Sequence, residues 1–385
     1  MKIGINRMVV NLFLILVAAG FLWYIVQSQN LLGEKKTAVS STKQAQTDIQ
    51  FKDKKITLDY KKFDPKLIEN IGTFSRDEKW LGSGFYDTAL YFEYPSSLNL
   101  AGGERNKITM ERNNNLDLSK IINFDLIINF QSELTDLETG DLTFVDSNKK
   151  TAVFVLPTTQ SAKNWVAINI PKEQFATDSD FNWNRIEKTR FNFLPRLFAS
   201  VVVGLGGLRG QPGSILYNDW NTIDEKMLLL DKRKNEISLM VRNIGASVAV
   251  IRKITSVSNF TFQSSYSPLN SGLAGLFFRG NYKNGQGYYL LVGGIGGNQW
   301  QITKTGKDGS KILALGEINN FQFKYGEKYY LKADTKGNNI KAYLSTDGSN
   351  FTLLASTDDD EFTSGGVGLV TNGGVALFND FEFTQ

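Results

Sequence analysis

Six side chains in the C-terminal third could together grip a hydroxyl-rich ring: Arg279, Tyr282, Tyr288, Asn298, Trp300 and Asn372. Aromatic faces stack on C–H surfaces, while amide and guanidinium groups bond hydroxyls in their own plane. A structural expectation competes, because at 12% aromatic residues most rings must fill cores. Trp165 and Trp183 are expected to be buried, Trp300 alternates with Ile302 and can be core, and Arg279 can instead neutralise Asp380 inside the fold.

Among the 385 residues there is no histidine and no cysteine. That removes Ser-His-Asp and Cys-His nucleophiles, thiolate or imidazole metal sites, haem, iron-sulfur clusters and disulfides. Chemistry would fall to carboxylates, and a retaining glycosidase needs two held about 5 to 5.5 Å apart. No Glu-x-Asp triplet occurs in the chain, and Asp380 and Glu382, which share a strand face, lie where a terminal structural strand is expected. No catalytic residue is therefore assigned. Calcium is the one cofactor to weigh, with Asp347, Asp358 and Asp360 as candidate ligands in acidic loops. None of these loops matches a full calcium-binding pattern, and Asp-Gly turns have sufficient reason to exist as hairpin chemistry.

The elements that would position these groups are short strands. Segments such as 87 to 94, 124 to 130, 150 to 156, 164 to 170, 188 to 193, 273 to 279, 287 to 293, 298 to 304, 328 to 334 and 339 to 345 alternate or are richly apolar, and turn signals separate them. No segment after residue 30 sustains a helical period; 226 to 234 comes closest. The fold class is all-β, two tandem antiparallel β-sandwich jelly rolls after an N-terminal transmembrane helix.

Met8 to Val26 is a nineteen-residue apolar run with Lys2 and Arg7 before it and Trp23 and Tyr24 near its end. Its length spans a bilayer, and the flanking charge places the N-terminus in the cytoplasm and the bulk outside, as an uncleaved single-pass anchor rather than a removed signal. Residues 31 to 66 carry nine Lys and five acidic residues and read as a polar stalk. With the first thirty residues at +2 and the whole chain at +4, residues 67 to 385 are left at −2. That offers no basic footprint for nucleic acid. The organisation is thus an anchor at 1 to 30, a stalk at 31 to 66, and sandwiches at 67 to 222 and 223 to 385. Leu216 to Trp220 (LYNDW) recurs as Leu377 to Phe381 (LFNDF), as if each closed a jelly roll.

The order NFTFQSSY (259 to 266), GLAGLFFRG (272 to 280), GQGYYLLV (285 to 292), WQITKTGKDG (300 to 309), YGEKYYLKADTKGNNIKAYLSTDG (325 to 348) and FTSGGVGLVTNGGVALFNDFEF (362 to 383) resembles the concanavalin A-like lectin/glucanase superfamily, nearest its laminin-G-like and DUF1080-type keto-disaccharide-hydrolase-like jelly rolls. The stretch from Trp165 to Phe175, with Asn182 to Ile186 and Thr189 to Phe193, resembles galactose-binding-like or carbohydrate-binding-module jelly rolls. Gly272 and Gly275 suit close strand packing, and Gly365, Gly366 and Gly368 suit a bulged or tightly turned penultimate strand. The resemblances imply non-catalytic recognition of glycans or cell-surface polymers at a prokaryotic envelope. A structural or adhesive subunit binding a surface protein, and a divergent glycoside hydrolase, are the competing classes.

Overall fold

The computed structural model describes residues 55 to 385 except 61–62, 104, 132–135, 158–163, 214–218, 234–235 and 244–247. The apolar run at 8 to 26 lies outside the described residues; among those described, no helix is long and apolar enough to cross a membrane. All of them belong to one compact unit, residues 51 to 385. It is all-β, with antiparallel sheets, and its few helical turns are three-residue 3-10 pieces.

Four sheets form two facing pairs. Sheet 1 runs Trp165–Pro171, Asn123–Phe130, Ser200–Gln211, Ser97–Gly103, Gly84–Asp87, with Glu69–Gly72 added to Ser200–Gln211. Sheet 2 runs Ala176–Thr177, Thr151–Val155, Leu137–Asp146, Ile186–Pro195, Ile108–Leu116, Leu81–Gly82. Their inner faces alternate apolar residues, such as Leu98 and Leu100, Leu126 and Ile128, Leu142 and Phe144, which close on one core. Sheet 3 runs Leu228–Arg233, Glu236–Arg242, Val375–Thr384, Phe260–Pro268, Tyr329–Lys336, Asn339–Ser345, Thr352–Asp358. Sheet 4 runs Trp220–Asn221, Val248–Ile251, Gly366–Asn372, Leu273–Asn281, Gln286–Val292, Gln299–Gly306, Gly309–Glu317, and shares a second core with sheet 3.

Several sequence expectations need correction. Ile56–Leu58, inside the stretch read as stalk, pairs with Phe381 to Phe383 as an extra strand of sheet 3. Just beyond it Tyr60 is buried and its hydroxyl accepts the Trp220 indole N–H. The apolar alternation of Ile56 and Leu58 is what the charge count concealed. Most of LYNDW lies outside the described residues, but its Trp220 belongs to this second core and pairs with Ile251 in sheet 4, whereas Phe381 of LFNDF lies in Val375–Thr384 of sheet 3. Residues 88 to 94 are not a strand; after Asp87 the chain bends across the outer face of sheet 1 to a cis Tyr94–Pro95 bond. The segment at 226 to 234 holds a buried strand, Leu228–Arg233.

The two pairs meet through outer faces. Ile127, Ala167 and Phe92 pack against Leu229, Met240, Leu269 and Val375. Arg209 bonds Asp231 at 2.7 Å and also Glu93, while Arg233 bonds the same two carboxylates at 2.9 and 2.7 Å. Two guanidinium groups and two carboxylates thus alternate around a closed ring in which Arg209, Glu93 and Asp231 are buried. Gln211 exchanges two hydrogen bonds with the backbone of Leu230, 2.8 and 3.0 Å, in the manner of a strand neighbour.

Candidate functional site

Strands of sheet 4 point alternate residues into the core and out from it. Leu290 and Ile302 face in, so Leu291 and Gln301, which are register partners, face out, and Gln301 is paired in turn with Leu315. A groove of about 300 Å³ lies on this outer face at one end of the strands. Leu273, Leu291 and Leu315 supply apolar walls, and Gln299, Gln301 and Glu317 supply two amides and a carboxylate. Leu315 is 68% exposed, so its isobutyl group is offered to solvent.

Three of the six residues singled out from sequence gather at this end. Trp300 lines the groove while its indole packs against the core, resting on Gly316, where an added Cβ would come within 2.6 Å of the ring. Asn298 is half-buried, with Nδ2 donating to the Ile318 carbonyl at 3.5 Å. Asn372 is exposed and is the register partner of Leu273.

The other three lie at the opposite end of the same strands. Arg279 sits at a bulge, with a register shift between Phe278 and Gly280 and φ of 48°. A bulge places two successive residues on one face, so Arg279 follows Phe278 inward. It is 1% exposed, and its guanidinium donates to the carbonyls of Ser258 (2.9 and 2.6 Å) and Gly337 (2.7 Å). Burial pushes its pKa down. It does not neutralise Asp380, whose carboxylate lies 3.5 Å from Lys328. Tyr288 is buried, donating to Asp359 at 2.6 Å and accepting from the Phe362 N–H at 3.1 Å. Burial and the Asp359 bond raise its phenol well above the ordinary value. Lys304 completes the cluster, reaching Asp359 at 2.6 Å and Glu361 at 2.8 Å. Tyr282 packs on the outer apolar cluster with Phe277 and Tyr289. Burial lifts the Tyr289 phenol to about 12.

The calcium candidates do not converge. Asp347 accepts from the N–H groups of Ser349 and Asn350, from Ser345 Oγ, and from Asn350 Nδ2 at 2.7 to 2.8 Å. These bonds, those of Asn350 foremost, hold its carboxyl well below the usual range and tie up both oxygens within its own turn. Asp358 accepts from Asn339 at 3.1 Å, and Asp360 is exposed. Among the described residues no group of three or more acidic side chains could hold a metal ion. Gln299, Gln301, Leu315 and Glu317 are not among the six residues singled out from the sequence. Their signal was available in the alternation of Gln299 and Gln301 with Trp300 and Ile302.

No family model matches the chain, and no curated protein matches it. Among solved structures it is similar to the carbohydrate binding module CBM66 from Bacillus subtilis, at 20% identity over 43% of this chain and 96% of that one, TM-score 0.36. It is also similar to a protein with a galectin-like fold from Bacillus subtilis, at 15% identity over 44% and 90%, TM-score 0.32. A xylan beta-1,4-xylosidase from Bacillus halodurans C-125 aligns at 14% identity over 81% and 66%, TM-score 0.35.

Proposed function

We propose that the protein recognises a glycan without cleaving it, in the groove on the outer face of sheet 4. The observation that carries this reading is the composition of that groove. Three leucines offer apolar walls to the C–H faces of a sugar, and Gln299, Gln301 and Glu317 stand among them to bond hydroxyls. Glu317 is the one carboxylate among the lining residues, which favours binding over the two-carboxylate hydrolysis of a glycosidase. The resemblance of 259 to 383 to concanavalin A-like jelly rolls, and of 165 to 193 to galactose-binding-like or carbohydrate-binding-module jelly rolls, agrees with it. In this reading Met8 to Val26 anchors the chain in a prokaryotic envelope membrane, and the β domains, divided near residue 222, are displayed outside.

Glycan arrays probed with the protein, with and without calcium, test the proposal. Retention on a defined subset of glycans that weakens when Gln301 or Leu315 is replaced by Ala supports it, and uniformly blank arrays sink it. The buried ionic ring between the two sheet pairs favours a second reading, a rigid structural or adhesive subunit that binds a surface protein. Concentration-dependent assembly in analytical ultracentrifugation, with blank arrays, is the outcome that this second reading requires.

A further inference from the structure

The joint between the two sheet pairs covers only part of the outer face of sheet 1. Asp125, Ile127, Arg209 and Gln211 are committed to it. Further along the same face runs one row of register partners across five strands: Phe85, Asn99, Gly204, Asn129 and Trp165. All five project outward, because Leu98, Leu100, Ile128, Val203 and Leu205 on either side of them fill the core.

The amides in this row lack what buried amides ordinarily have. Asn99 is 1% exposed and Asn129 2%, yet Oδ1 of each has no hydrogen-bond partner, nor does Nε2 of nearby Gln131. A buried acceptor left in that state is destabilising until a partner reaches it. Asn99 cannot relieve it by rotating. Its Nδ2 donates to Asp87 at 3.0 Å, and Asp87 is itself fixed by the N–H groups of Ala89 and Leu90. Gly204 forms the floor; a Cβ there would lie 2.9 Å from Asn99 Oδ1 and 3.3 Å from the Trp165 ring. At the far end of the row Phe85 is 51% exposed, and beside it Ala101 is exposed, so the row opens away from the joint.

We propose that this row is a second binding site, for a neutral ring bearing hydroxyls. Two acceptors, that of Asn99 fixed, and one donor call for hydroxyl groups, which both give and accept. Phe85, exposed at the open end of the row, offers a ring face for C–H surfaces, and no cation stands in the row to attract a phosphate or carboxylate. The ring enters from the Phe85 side, and the Trp165 indole, packed edge-on against Phe92 at 5.8 Å, bounds the row at its inner end. The site stands apart from the groove on sheet 4 and does not depend on it.

Saturation-transfer NMR of the full chain with the methyl glycosides of glucose, galactose, mannose, xylose and fructose, at millimolar concentration, tests the site. At least one glycoside should receive saturation, and the signal should fall by about fivefold in Phe85→Ala and in Asn129→Ala, as expected for loss of one stacking or hydrogen-bonding partner. Phe85 is exposed, so its variant keeps the test valid even where Asn129→Ala fails to fold. Transfer to none of the glycosides means that the amides are satisfied by water alone and overturns the site. Transfer that responds to Leu315→Ala but to neither row variant also overturns it, while leaving the sheet 4 groove standing.

Discussion

Arg242 and Asp125, 117 residues apart, meet through two parallel hydrogen bonds of 2.5 and 2.6 Å in the joint between the sheet pairs. Both side chains are almost wholly buried, at 1% and 6% exposure. A third bond, from Arg242 Nε to the Lys226 carbonyl at 2.6 Å, fixes the fork. Such a pair yields little net stability relative to apolar residues, but removing one partner strands a buried charge. Asp125→Ala should therefore destabilise the protein by about 3 to 5 kcal/mol. The double variant Asp125→Leu with Arg242→Met should recover much of that loss. Urea unfolding of the three proteins checks both statements, and an Asp125→Ala midpoint equal to the parent's would remove the pair from any structural role.

Acid should loosen the same joint. Burial acts to raise the pKa of Asp231, but Arg233 and Arg209 outweigh it and hold the carboxyl below its ordinary value. A carboxylate depressed in the folded state contributes stability that is present above the unfolded pKa of about 3.9 and lost as pH falls through the folded value. Unfolding midpoints should thus decline as pH falls below about 4, the ordinary carboxylate value, and Asp231→Asn should flatten that part of the profile while lowering stability at neutral pH. A parent profile with no decline there contradicts the assignment.

Much of the fold was legible because each sheet pair writes an alternating pattern, as at Asn339–Ser345, where Ile340, Ala342 and Leu344 enter the core. The joint was not. Asp125, Arg209, Asp231 and Arg242 occupy outward strand positions that read as solvent-facing, and the Arg209–Asp231 and Arg242–Asp125 pairs join residues 22 and 117 apart in sequence. The site was half legible. Trp300, Asn298 and Asn372 come to one end, but the bulge at Arg279 breaks the period-two rule that would have put its side chain on the surface, and no local residue type announces such a bulge beforehand.

In the groove, the two kinds of contact should separate in experiment. Leu315→Ala removes an exposed apolar wall and leaves the core untouched, so glycan retention should weaken by about fivefold to tenfold with an unchanged melting temperature. Gln301→Ala should alter which glycans are retained, because it deletes a hydrogen-bonding group. Array profiles and thermal melts of both variants decide this; a melting temperature that drops with retention would mean that the side chains serve the fold.

Glycines in sheet 4 mark where strands leave no room. A Cβ on Gly368 would lie 1.9 Å from the Ala249 carbonyl oxygen, and one on Gly275 2.0 Å from that of Leu290. Both obstacles are backbone in central strands, which cannot step aside as a side-chain tip can. Gly368→Ala and Gly275→Ala should each cost about 3 kcal/mol or more, by the logic of overpacking. Gly337→Ala is a useful contrast: nothing lies within 4 Å of its Cβ, so only its φ of 56° opposes the change, at about 1 kcal/mol. Thermal melts of the three variants should fall in that order.

The strand Ile56–Leu58 makes the most direct test of whether the stretch before residue 67 takes part in the fold. Tyr60 is 1% exposed, accepts the Trp220 indole N–H and packs edge-on against Phe381 at 6.0 Å. Phe381 in turn meets Trp220 at 5.5 Å, so three rings from chain positions 60, 220 and 381 close one corner of the second core. Tyr60→Ala should open a cavity costing about 3 to 5 kcal/mol. Tyr60→Phe keeps the ring but orphans the indole donor, for about 1 to 3 kcal/mol. Burial lifts the Tyr60 phenol far above its usual value, so the hydroxyl stays protonated at any working pH and neither loss should vary between pH 6 and 9. Were residues before 67 a detached stalk, both substitutions would leave the unfolding curve where it was.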